Sequence, residues 1–250
     1  MKLNYLFEGS GNKTIVFIHG LSDSLEYWIK LSSGLSGEYK VLLYDLRGHG
    51  KSPFEYFDMD LLVEDLYNLL SMLNISKASL IGLSLGGNIA LLFAVKYPDL
   101  VDKLVIMSSF SEVDENLKSK FMELKIAVGE SFEEFYDVMI NYVLPEDIVD
   151  KNRDLLELYK KEAAKSANLP AIENGIDVGI DFHVTDKLKS LNHPTLVLAG
   201  RQDEITPLEL SEIINANIKN SQLIVFEDTK HNLLIGRNIP EILKLISSFI

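Results

Sequence analysis

The 250 residues include no cysteine, which excludes disulfides and thiolate metal sites. Positive charge is scarce: 24 Lys and Arg stand against 37 Asp and Glu, a net charge of −13. A nucleic-acid surface needs clustered Lys and Arg against phosphate, so no nucleic-acid partner is expected. Membrane-spanning runs are also missing. The uncharged stretch ASLIGLSLGGNIALLFAV at 78–95 is broken by glycines, serines and Asn88, whereas a span needs about 20 predominantly apolar residues. The opening MKLNYLFEGSGNK has no apolar segment of signal-peptide length, so a cytoplasmic protein with no membrane insertion is expected.

What is present is the composition of a globular chain, 47% hydrophobic and 24% charged, at a length that suits one α/β domain. Near-continuous apolar runs of strand length recur at 14–19, 39–45, 78–82, 103–108, 194–200 and 222–228. Such runs predict parallel strands buried on both faces. KLNYLFE at 2–8 alternates instead, as an edge strand does. Helical patterns lie between, at roughly 24–37, 58–73, 85–97, 207–219 and 239–250. The alternation predicts a mostly parallel central sheet flanked by helices.

Residues 111–190 interrupt this rhythm with helical stretches alone, divided by Pro145 and Pro170. They hold 18 acidic and 10 basic residues, so they supply −8 of the net charge. Solvated helix faces account for that excess. The expected organisation is a core of residues 1–110 and 191–250, with residues 111–190 as a helical cap inserted over the sheet's C-terminal edge.

The chemistry centres on GLSLG, which fits the G-x-S-x-G nucleophile elbow. Five residues make a loose pattern, but here a strand runs in and an apolar helix runs out. Glycines suit a sharp strand-to-helix turn that strains and crowds the serine. The turn places Ser84 at a helix N-terminus, where developing negative charge is favoured.

A serine hydroxyl needs a base to take its proton. Of the five histidines, His231 follows the last strand and emerges at the sheet edge where Ser84 must lie. His19 and His49 sit in HG and RGHG turns that suit structural hydrogen bonding. His183 ends the helical segment, and His193 falls at the wrong end of a strand. His231 in turn needs a carboxylate. GRQDEITP offers Asp203 and Glu204, with Asp203 nearer the strand end, and Glu112 and Asp114 are more distant substitutes.

Taken together, FIHGLSDSLEYW, YDLRGHGKS, GLSLGG, GRQDEITP and TKH resemble the α/β-hydrolase superfamily in order and over nearly its full length. The resemblance implies Ser84 as nucleophile, Asp203 as acid and His231 as base. It also implies an oxyanion hole from the Leu21 and Leu85 N–H groups, and makes Asp45, Arg47 and Gly48 a structural turn. Two features depart from the family. There is room for one strand, KLNYLFE, where a pair commonly precedes the HG strand, so about seven strands are expected. Lys230 stands where glycine often precedes the histidine.

A serine elbow argues against the dehalogenase and epoxide hydrolase branches, which resemble this scaffold but use aspartate. The expected activity is carboxylic ester hydrolysis through an acyl-enzyme, on small or medium apolar acyl groups. It requires no cofactor beyond the three residues and the oxyanion hole. Enol-lactonase or C–C bond hydrolase chemistry on the same residues is the alternative, as is a small-molecule receptor that keeps them. No histidine pair has ligand spacing, so no metal is expected. Aromatic residues recur at helical spacing in 111–190. Most must pack the segment down, and Phe135 and Tyr159 are the candidates for lining a substrate pocket.

Overall fold

The computed structural model describes residues 2–250. Seven strands form one sheet: β1 (Tyr5–Glu8), β2 (Thr14–Ile18), β3 (Lys40–Tyr44), β4 (Ala78–Leu83), β5 (Val101–Met107), β6 (Thr195–Gly200) and β7 (Ser221–Phe226). Their order is β1-β3-β2-β4-β5-β6-β7. Only β1 runs antiparallel, pairing Tyr5 with Tyr44 and Glu8 with Val41. β2, β4 and β6 are buried at every position, as their unbroken apolar runs require. Three of the four β1 residues are exposed, and the strand closes one edge.

Helices cover both faces. Trp28 and Leu31 pack on one face with Ile242 and Ile246 of α11 (Ile239–Phe249). Residues of α2 (Met59–Met72), α3 (Leu85–Lys96) and α10 (Leu208–Asn217) fill the other. The 24–37 pattern is shorter than its periodicity predicts. It forms a 3₁₀ turn at Leu25–Trp28 and α1 at Ile29–Ser32, then turns. Serine and glycine in the following LSSGLSG compete for the backbone and favour turns over helix.

Between β5 and β6 the chain holds helices and no strand. They are α4 (Glu115–Glu130), α5 (Phe132–Val143), α6 (Glu146–Lys151), α7 (Arg153–Ala164), α8 (Leu169–Ile180) and α9 (Thr185–Leu188). Asp114 caps α4 by accepting from Leu117 N–H at 2.7 Å, and Ser131 caps α5. Pro145 precedes α6 and Pro170 opens α8, where a missing N–H costs little.

One topological fact positions the site. The chain leaves β2 for β3 on one side and returns to β4 on the other. Crevices form beyond the C-terminal ends of strands at such a switch point. Here the residues that follow β2 and β4 are the His19–Leu21 loop and Ser84.

Candidate active site

β4 ends at Leu83 and α3 begins at Leu85, so Ser84 alone makes the turn. Its φ of 52° and ψ of −118° lie on the side of backbone space that non-glycine residues avoid. Such a conformation costs on the order of 1–3 kcal/mol and persists only where neighbours hold it. Here Ser84 N–H donates to Met107 O at 2.9 Å, and Ser84 O accepts from Gly87 N–H at 2.8 Å. Ser109 Oγ donates to the same carbonyl at 2.8 Å. The glycines answer to space: a β-carbon on Gly82 would strike the Gly86 backbone, and one on Gly86 would strike the Ile18 carbonyl. Ser84 Oγ has no protein hydrogen-bond partner among the described residues and faces a cavity it helps to line.

His231 lines the same cavity. Its Nδ1 lies 2.8 Å from Asp203 Oδ2 and 3.2 Å from Thr206 Oγ1. Asp203 is buried and held from every side. Its Oδ1 accepts from the Ile205 and Thr206 N–H groups, each at 2.9 Å, and Oδ2 also accepts from Thr206 Oγ1 at 2.8 Å. With Nδ1 donating to the carboxylate, Nε2 is left with its lone pair toward the cavity. Glu204, the neighbour, turns outward and pairs with Lys230 at 2.8 Å.

The cavity has a volume of about 620 Å³ and is lined by Leu21, Leu85, Phe135 and Tyr159 but not by Glu112 or Asp114. Leu21 and Leu85 border it beside Ser84, and Gly20 abuts the serine, a β-carbon built there standing 3.4 Å from Ser84 Cβ. Neither the Leu21 nor the Leu85 N–H has a protein acceptor among the described residues. Ser22, with φ of 59°, bends the loop after Leu21. Phe135 and Tyr159 line the far wall with Tyr136, Met139 and Val143. They differ in setting, however: Phe135 is 1% exposed and packs in the core, whereas Tyr159 is 58% exposed at the rim.

The other histidines serve the scaffold. His19 Nδ1 contacts Gly20 O at 2.7 Å and Nε2 accepts from Leu46 N–H at 3.0 Å. Burial and then the nearby His49 hold its pKa well below the ordinary value, so it stays neutral. His193 bonds Pro98 O at the opposite end of the sheet. Arg47 and Asp65 form a buried two-pronged pair at 2.6 and 2.7 Å, which fixes the turn after β3 against α2.

Several site residues carry no signal in the sequence. Thr206 and Ser109 are ordinary loop residues until the fold brings them to Asp203 and Ser84. Asp23 lies in the quoted HGLSDS motif, yet only the structure sets it in the cavity. Burial, against the Ser24 N–H donor and with the Asp45 charge, pushes its carboxyl up to about 7. The residues flanking His231 are also fastened to α5. Lys230 Nζ donates to Asn141 O at 2.8 Å, and Asn232 N–H to Val143 O at 2.9 Å. Among the described residues no cluster of potential metal ligands occurs, and no helix is long and apolar enough to cross a membrane.

Known proteins are similar to this chain in sequence or in fold. A Caulobacter protein named "Putative carbamate hydrolase RutD" is 26% identical over 219 residues, covering 86% of this chain and 82% of its own length. An alpha/beta hydrolase enzyme from a Medee basin deep-sea metagenome library superposes with a TM-score of 0.91 at 22% identity, over 99% of this chain and 93% of the other. A thermophilic esterase from Thermogutta terrifontis superposes at 0.83 with 26% identity, over 98% and 92%. The sequence pattern of the alpha/beta hydrolase fold matches residues 13–237. The chain belongs to the α/β-hydrolase family.

Proposed function

We propose that this protein hydrolyses carboxylic esters, with Ser84 as nucleophile, His231 as general base and Asp203 as the group that orients it. The observation that carries this reading is the 2.8 Å His231–Asp203 contact, which leaves the other face of the imidazole on the cavity of Ser84. In the first step His231 Nε2 takes the Ser84 proton as Oγ attacks the ester carbonyl carbon. The Leu21 and Leu85 N–H groups receive the oxyanion, and losing one such donor typically costs about 2.7–4 kcal/mol. The tetrahedral intermediate collapses to an acyl-enzyme, and the imidazolium returns its proton to the departing alcohol. Water, deprotonated by His231, then releases the acid and restores Ser84.

Residues 111–190 act in this reading as a cap. Phe121, Leu124, Phe135 and Tyr136 come from α4 and α5 to line the cavity with Ser84, and an enclosing roof excludes water from the acyl-enzyme. The wall they build is apolar and suits a small or medium acyl chain. Carbamate hydrolysis is a second reading, favoured by the named Caulobacter relative. It uses the same attack on a carbonyl flanked by nitrogen.

The test is a panel of p-nitrophenyl esters of increasing acyl length, assayed beside carbamates and lactones. Ser84→Ala should lose nearly all ester turnover while keeping its circular dichroism spectrum, and fluorophosphonate should label the parent at Ser84 alone. Full activity in pure Ser84→Ala protein overturns the assignment.

A further inference from the structure

The cavity around Ser84 is lined by two acids, Asp23 and Glu26, and by no lysine or arginine. Among the described residues neither acid is in an ion pair, and the Asp23 carboxyl takes only the Ser24 N–H at 2.8 Å. Three tyrosine rings, Tyr27, Tyr136 and Tyr159, line the same space. The Tyr27 hydroxyl is spent on Asn232 Oδ1 at 2.8 Å, so its ring, not its hydroxyl, is what remains for a ligand.

From this we infer that the cavity selects substrates carrying a cationic amine, with Asp23 as the specificity-determining residue and Glu26 at the rim. The inference rests on the reading of Ser84 as the nucleophile. Alkylammonium groups, quaternary ones above all, bind where a negative charge and aromatic faces converge in a sheltered site. A carboxylate-bearing substrate meets the reverse: two like charges and no basic partner to offset its desolvation. The protein's net charge of −13 acts in the same sense by concentrating cations near the surface. Burial holds the Asp23 carboxyl up to about 7, and a bound cation beside it favours the ionised form.

The experiment compares three p-nitrophenyl esters of one acyl length, ending in methyl, trimethylammonium or carboxylate. At pH 8 the trimethylammonium ester should exceed the methyl ester in kcat/KM by about tenfold, the effect of one such contact, and the carboxylate ester should be slowest. Added salt should erode the preference. Asp23→Asn should bring the ratio of the first two toward one, and Glu26→Gln should lower it less. An equal or preferred methyl ester in the parent, or an unchanged ratio in soluble Asp23→Asn, overturns the inference while leaving the esterase reading intact. If no ester is turned over, that reading fails by itself. Calorimetry on Ser84→Ala protein then decides the subsite. Tighter binding of hexyltrimethylammonium than of hexanol, with hexanoate weakest, sustains it, and any other order overturns it.

Discussion

Asp203 and Glu204 are adjacent in sequence and opposite in surroundings. Asp203 is 5% exposed and holds His231 Nδ1, whereas the Glu204 carboxylate meets solvent and Lys230. Asp203→Asn should therefore cut kcat by about 10⁴, because an amide can hold the imidazole in the wrong tautomer. Glu204→Gln should change it only a few-fold, and steady-state kinetics on both variants decides. Asp23 supplies a second test at this scale, in stability. Its folded-state pKa is raised from 3.8 to about 7, so the folded protein keeps this proton where the unfolded chain has lost it. The fold loses stability as pH rises through that interval and carries the full penalty above it. Asp23→Asn should raise the melting temperature at pH 8, by a gain on the order of 4 kcal/mol at most, and raise it less at pH 5. Distance from the strand end points to Asp203, the one of the two acids that lies against His231 Nδ1. Thr206 was not legible in the same way, since its hydroxyl gains a place in the site only once Asp203, three residues before it, is set against His231, 25 residues after it.

Among the elements, α5 has two faces that do different things. Phe135, Tyr136, Met139, Ile140 and Val143 give one face to the cavity, and Asp137 on the other side pairs with Lys160 of α7. Substitutions in the wall therefore divide by burial. Phe135→Ala removes a ring with 1% exposure and should cost about 3–5 kcal/mol, readable as a loss of denaturation midpoint. Tyr159→Ala should leave stability nearly unchanged and shift the acyl-length preference, so it is the cleaner probe of the pocket. The strands and most helices were legible in sequence because burial on both faces writes an unbroken apolar run. The cavity wall was legible only as a set of aromatics at helical spacing. Periodicity finds a buried face but does not say whether the neighbour is a core or a void.

At the scale of the whole molecule, the helices between β5 and β6 are tied to the rest of the chain at several points, among them the Asn174–Phe57 pair of α8 and the loop of His231. Lys230 and Asn232 on either side of the imidazole hold the last carbonyls of α5, at Asn141 and Val143. Fastened there, α5 is coupled to the loop that carries His231. Either both bonds break first, or the loop travels with α5 and takes His231 away from Ser84. In the second case the imidazole parts from Ser84, so the proposed hydrolysis is confined to the arrangement in which α5 keeps its place, as by an interlock. Native-state hydrogen exchange should report the coupling: the Asn232 amide, which is bonded to Val143, should exchange in step with the Leu144 amide that closes α5 on Ile140. Independent exchange of the two would show that α5 and the His231 loop come apart. A shared rate would tie every displacement of α5 to the placement of the imidazole.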